Sequence, residues 1–438
     1  MRKTWFALCL LLLTACGGRN SALPIFYSRA PASSASAAPV ETILHAFSGP
    51  DGNDPYGSRI AIDAAGNVYG TTANGGVSGD GVVFELIARA GGGWTGKTLY
   101  SFRGGSDGAN PYSGVTLDTQ GNLFGTTASG GAGCLGVGCG TVFELSRSGT
   151  TWSERVLYRF LDKPDGSFPW SGVAFDAQGN LFGTTAGGGN CSPNNQYGTV
   201  FTLDRAANWR ESVIHSFCGT AGGQGPGFTT PVFDRKGNLY GSAGGGTASG
   251  GVVYRLQPQS SGQWLETIVH NFTRAEGFVG QSGLTMDAAG NLFGTGSLGG
   301  ANDVGTVWKL EIGTAKVSVL YSFQGGEDGE TPFLAPAIDA HGDLVGTTHD
   351  GGTGNHGCFN SCGTVYELVP QGAGKYAERV LHRFVQDSVD DGYNPTGPVV
   401  WDSNLKTIVG TTEKGGGFIK TTHGLQAKTG TVFEISVP

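Results

Sequence analysis

The chain has 438 residues, of which 14% are charged, and its formal net charge is −8 at neutral pH. Its 27 Lys and Arg are scattered rather than clustered, which argues against nucleic acid as a partner, and its 79 Gly follow no triplet period, which excludes collagen. The glycines stand beside regular β-branched and aromatic runs, so they read as turns in a β-rich chain.

The first elements in chain order concern export. Arg2 and Lys3 precede an apolar run, Trp5 to Leu13, that is too short to span a bilayer as a mature helix. Leu13-Thr14-Ala15-Cys16 follows at once and resembles the lipobox of bacterial lipoproteins. That resemblance implies a signal peptide over residues 1–15 and a lipid on Cys16; an ordinary secretory signal with an incidental Cys is the alternative. Gly17 stands where an Asp would favour the inner membrane, so the outer membrane is the expected address, in its surface or periplasmic leaflet. Several acyl chains, at about 0.8 kcal/mol per buried CH₂, would make such an anchor permanent. Residues 16–39 then form the lipidated Cys and a Ser/Ala/Pro-rich tether, and residues 40–438 the folded body.

That body repeats. Gly121 to Leu145 reads GNLFGTTASGGAGCLGVGCGTVFEL, and close copies begin at Gly66, Gly179, Gly237 and Gly290, with looser ones at Gly342 and Asn404. Seven copies spaced by roughly 50–60 residues mark a repeat architecture. Each copy holds four strand-like pieces, shown by Gly114 to Asp118, Asn122 to Ser129, Gly140 to Ser146 and Trp152 to Phe160. An Asp-x-x-Gly-Asn turn joins the first two, with Asp starting the turn and Gly supplying positive φ. The predicted fold is therefore all-β, a seven-bladed β-propeller with four antiparallel strands per blade. Its closure is also predicted: a spare fourth-type strand, 41–47, matches the outer strand missing from a last blade that ends with the third-type strand 431–437. A linear solenoid has no use for that phase match. The aromatics of the second and third strands are assigned to the core, and the Gly after Tyr69, Phe124 or Phe182 to making room for a large ring.

The pattern GNLFGTT…GG…GTVFEL…W…LYSF…DG…P resembles the GloVer (Gloeo/Verruco) tandem-repeat proteins over almost all of Glu41 to Val437. The resemblance implies a surface-anchored repeat protein and brings no catalytic residues with it. The strand order resembles, more distantly, NHL and regucalcin-like propellers.

Six cysteines remain besides Cys9 and Cys16, and they fall into local pairs: Cys134 with Cys139, Cys358 with Cys362, and Cys191 with Cys218. In an exported chain these read as disulfides. Zinc held by His349, His356, Cys358 and Cys362 competes for one of them, but blade two has the same Cys arrangement with no His nearby.

The candidate ligand site lies where loops between blades repeat Asp-Gly followed by Pro. It comprises Asp51, Asp107, Asp165, Asp328 and Asp391, with the post-proline aromatics Tyr56, Tyr112, Trp170 and Phe333. Rings that stack on sugar faces beside carboxylates that accept hydroxyl hydrogen bonds point to a glycan or a partner protein at the channel mouth; turn chemistry and packing are the competing role. No GxSxG, HExxH or Walker sequence occurs in a fitting context, so neither cofactor nor metal is expected, and Asp-Gly calcium stays open. The expected protein is a monomeric binding or scaffold module whose membrane contact is the lipid alone. The alternative is a polysaccharide lyase or hydrolase using Asp107, Asp165 and Asp328.

Overall fold

The computed structural model describes residues 38–437 apart from 192–196, 220, 229, 281, 353–361, 387–390, 403–406, 422, 423 and 428. The signal peptide, Cys16, nearly all of the tether, His356 and Cys358 lie outside the described residues. Among the described residues no helix is long and apolar enough to cross a membrane.

Seven four-stranded antiparallel sheets form the ring. Blade two is typical, running outward through Thr116–Leu117, Leu123–Thr127, Thr141–Ser148 and Thr151–Arg159. The turn between its first two strands is built by Asp118, whose Oδ1 accepts from the backbone N–H of Gln120 and Asn122 at 2.8 and 2.9 Å. Gly121 takes the left-handed φ of 83° that the reversal needs. The same Asx turn recurs at Asp63, Asp176, Asp234, Asp287 and Asp339.

The LFGTT strand is buried throughout. Gly125 pairs directly with Phe143, and a Cβ on it would meet the ring at 2.6 Å. The predicted room for a ring is thus room for the aromatic of the neighbouring strand in the same blade. The two threonines divide their labour. Thr127 shares its hydroxyl with Thr141 of the third strand at 2.8 Å. Thr126 reaches the next blade, 2.7 Å from the carbonyl oxygen of Ser171. Thr184 repeats this with Pro226 and Thr411 with Pro55, so these second strands are tied to the inner loop of the next blade.

Blades meet through aromatic pairs. The Phe that ends each fourth strand packs on the third-strand ring of the following blade: Phe102 on Phe143, Phe160 on Phe201, Phe217 on Tyr254. Phe272 on Trp308, Phe323 on Tyr366 and Phe384 on Phe433 continue the series. The seventh pair is Phe47 on Phe84, at 5.1 Å between centroids. Phe47 comes from the N-terminal strand Val40–Ala46, which lies antiparallel to Thr431–Ser436 with Ile43 opposite Phe433. The predicted closure is present.

Two disulfides are described, Cys134–Cys139 and Cys191–Cys218, with Cα atoms 5.2 and 5.4 Å apart. Cys362 is disulfide-bonded as well. The seventh blade adds a hairpin, Phe418–Thr421 with Gly424–Ala427, where the sequence reading had only a Gly-rich loop.

If Phe47 closes the ring as Phe160 joins two ordinary blades, Phe47→Ala and Phe160→Ala each cost about 3–5 kcal/mol, the usual range for a buried Phe. Denaturant titration of the two variants measures this. A Phe47→Ala variant as stable as wild type would show that the N-terminal strand is not needed to close the circle.

Candidate functional site at the channel mouth

The structure separates the nine predicted ring and acid residues into two sets. The aspartates belong to the seams between blades. Asp107 accepts the Tyr100 hydroxyl at 2.6 Å and the Arg103 backbone N–H at 2.8 Å. Asp165 does the same with Tyr158 at 2.5 Å and Asp328 with Tyr321 at 2.8 Å. Asp51 and Asp391 meet His45 and His382 at 2.9 and 3.2 Å. Each acid is therefore bonded to the outermost strand, locking the turn that leaves it, and the partnership with the channel-mouth rings is not formed.

A glutamate of the next blade completes three of these seams. Burial, then the charge of Asp107, pushes Glu154 up to about 7. Glu211 beside Asp165 and Glu378 beside Asp328 are likewise pushed up to about 7. At the seam between the sixth and seventh blades Glu41, His382 and Asp391 bring three potential ligand atoms within 4.8 Å of one another, so that a metal ion could be held there. The same seam with Tyr in place of His recurs elsewhere, so the grouping follows from the repeat. A second such group, Asp339, His341 and Asp343, sits on a hairpin turn whose N–H groups already occupy Asp339.

The aromatics do converge. Tyr56, Trp170 and Phe333 line a central cavity of about 440 Å³ together with Phe228 and Trp401. Tyr112 packs edge-on to Tyr56 at 5.7 Å, and Trp170 lies stacked on Phe228 at 5.1 Å, with planes 20° apart. Phe228 was not anticipated. Its blade reads Pro226-Gly227-Phe228, with no Asp-Gly before it and the ring one place later. The signal that could have found it is the proline. The residue before that proline has positive φ in blade after blade: 61° at Asp54, 57° at Asn110, Phe168 and Thr331. Its carbonyl accepts from the end of its own blade's second strand, as Asp54 does from Ala73 at 2.8 Å and Phe168 from Ala186 at 3.0 Å. This conformation costs a non-Gly residue on the order of 1–3 kcal/mol, and here it comes two residues before the channel-mouth ring.

Charge enters this face where the repeat is broken. The slot held by Ala73, Ala128 and Ala186 becomes His349 and Glu413 in the last two blades. His349 Nδ1 is 3.0 Å from Asp350 and Nε2 3.9 Å from Glu413, and its ring meets Phe333 edge-on at 5.4 Å. Burial opposes its charged form, but the hydrogen bonds to Asp350 and Glu413 win and push it up to about 9. Burial, then the charge of Glu413, pushes Asp54 up to about 6. Glu413 is itself raised by burial but lowered more by His349 and Lys414, and ends below the usual carboxylate range. Two carboxyl groups with separated titrations thus stand beside the rings.

The Gloeobacter/Verrucomicrobia repeat matches residues 11–243 and, overlapping them, 192–422. The chain belongs to this repeat family. No curated protein matches it. Among solved structures this repeat protein is similar to an oligogalacturonate lyase from Vibrio parahaemolyticus, with 11% identity, 91% of this chain and 93% of that one covered, and a TM-score of 0.52. It is also similar to an ancestral GH74 enzyme, with 13% identity, 88% of this chain and 48% of that one covered, and a TM-score of 0.52. At such identities the likeness is one of fold.

The seam glutamates give the repeat protein a pH dependence. Folded, Glu154, Glu211 and Glu378 titrate near 7 instead of 4.5, so the folded state binds their protons more tightly than the unfolded state. Their contribution is complete below pH 4.5 and is lost as pH rises through 7; His349 and Asp54, also raised, act in the same sense. Thermal unfolding is expected to show a higher Tm at pH 5 than at pH 8. The combined Glu154→Gln, Glu211→Gln and Glu378→Gln variant should flatten that fall, and an unchanged profile would contradict the assignment.

Proposed function

We propose that the protein is an exported, lipid-anchored binding module that takes a glycan at the channel mouth. The observation that carries this reading is the cradle of half-buried rings, Trp170 stacked with Phe228 and Tyr56 against Tyr112, around a cavity of ligand size. Flat aromatic faces held rigidly at a concave mouth suit the apolar faces of sugar rings. Three disulfide-bonded cysteine sites accord with an oxidising compartment. The leader and Cys16 supply the anchor in this reading.

One observation favours a second reading, a polysaccharide-acting enzyme. Asp107, Asp165 and Asp328 do not serve it, because each is bonded to a tyrosine at a seam. Asp54 and Glu413 do: just below neutral pH Asp54 can take up and give up a proton while Glu413 stays charged. The two solved neighbours named above are a lyase and an enzyme by their descriptions, which accords with a fold able to carry such chemistry.

Screening of wild type, Trp170→Ala and Tyr112→Ala on a glycan array tests the first reading. The expected result is a restricted set of glycans bound by wild type and weakened by roughly tenfold or more in Trp170→Ala, about 1.4 kcal/mol. Identical profiles for all three proteins would sink the aromatic cradle. Release of sugar products by wild type that stops in Asp54→Asn would establish the enzyme instead.

A further inference from the structure

Besides His349 and Glu413 at the mouth, one position on the innermost strands departs from the repeat in a way that packing does not require. Four residues before the turn aspartate of each innermost strand, the blades carry Arg59, Gly114, Gly172, Thr230, Gly283, Ala335 and Pro398. Six of the seven are small or ring-closed because neighbouring inner strands converge there. Arg59 makes a bridge with Gly114, whose own Cβ would collide with the Arg59 backbone. Into this slot blade one places the longest cation available.

The Arg59 side chain lines the central cavity and remains open to its lumen although its backbone is locked into the ring. Among the described residues lining that cavity it supplies the only charge; the others are aliphatic, aromatic, Met, Gly, Pro or hydroxyl side chains. Among the described residues no carboxylate forms an ion pair with it. The surrounding protein lowers its pKa by desolvation, and a guanidinium stays protonated even so. A cation in a walled lumen with no counter-charge from the protein is free to take an anion there, and Arg presents a planar fork that fits a carboxylate with two hydrogen bonds. The protein as a whole is negative, at −8, so this cation is not part of a general basic surface.

We infer that the channel selects an acidic saccharide, its sugar face against the rings of Trp170, Phe228 and Tyr56 and its carboxylate on the Arg59 guanidinium. This rests on the reading of the mouth as a glycan site and adds the class of sugar. The rings alone would accept neutral and acidic sugars alike; Arg59 makes the difference between them. A carboxylate and a sulfate both fit a guanidinium, so the two sources of negative charge are separated by experiment.

Calorimetric titration of the full mature protein with a galacturonate trimer, its methyl ester and a sulfated neutral trimer provides the test. For wild type the free acid should bind roughly tenfold or more tightly than the ester, and raising the salt concentration should shrink that ratio. In Arg59→Gln the ratio should fall to about one while binding of the ester persists, and Arg59→Lys should keep part of the preference. Wild type that binds acid and ester equally, or a preference that survives in Arg59→Gln, overturns the inference and leaves the glycan reading standing. Stronger binding of the sulfated trimer than of the carboxylate overturns the choice of a uronate. If no sugar of any charge binds wild type, the glycan reading itself falls and takes this one with it. Should Arg59→Gln fail to fold, the salt dependence of the wild-type ratio decides.

Discussion

The ring stands on one contact made seven times: the Phe closing a fourth strand set against the third-strand ring of the following blade. Each such pair contributes about 0.5–1.5 kcal/mol beyond the area it buries. The geometry holds only if the third-strand ring can lie back over its own sheet, which is why its cross-strand partner is Gly, as at Gly70 opposite Phe84 and Gly125 opposite Phe143. The GTVFEL and LYSF segments are thus two halves of one joint, and the glycine of LFG is its clearance. Because Phe47 provides the seventh Phe, the N-terminal strand repeats the contact that every other blade makes, and the circle closes without a specialised seam.

Repetition explains the scaffold, and its violations gather at the candidate site. Where blades share a chemical role the residue is constrained by packing, as for Thr126, Thr184 and Thr411 of the second strands, each tied to the next inner loop. Where one or two blades alone change Ala or Gly for an ionisable group, packing gives no reason. His349, Glu413 and Arg59 are such departures, and all three fall on the channel or its mouth. The same logic removes the Glu41, His382 and Asp391 group from special standing, since its seam is built alike with tyrosine at Asp107, Asp165 and Asp328.

Much of this was legible in the linear text and some was not. The strand sequence, the Asx turns, the phase of the two ends and the Cys134–Cys139 and Cys191–Cys218 pairs all follow from patterns that are local or that recur. The aspartates misled because Asp107 and Tyr112 are near neighbours in sequence. Between them lie Gly108 and Asn110, both with positive φ, and these two reversals send the acid outward to Tyr100 and the ring inward. The seam glutamates were hidden for a different reason: Glu154 meets Asp107 across a blade boundary, a whole strand cycle away. Phe228 was hidden by the single extra Gly227 after its proline.

The distribution of charge on the channel follows from the architecture. A propeller has one place where loops from all its blades converge, and it is the place least constrained by sheet packing. Ionisable groups can be added there without disturbing the aromatic joints further out. Here the mouth carries both signs, with Asp54 and Glu413 beside the rings and the His349 cation against Glu413, and the wall of the lumen carries Arg59. A ligand with a negative group would be drawn to the interior cation and repelled by the mouth acids when both are ionised. Asp54, pushed up to about 6 by burial and by Glu413, loses its negative charge within the range just below neutral. Entry of an anion past the mouth is therefore easier in mildly acidic surroundings than in alkaline ones, while the guanidinium inside is unaffected by the same change.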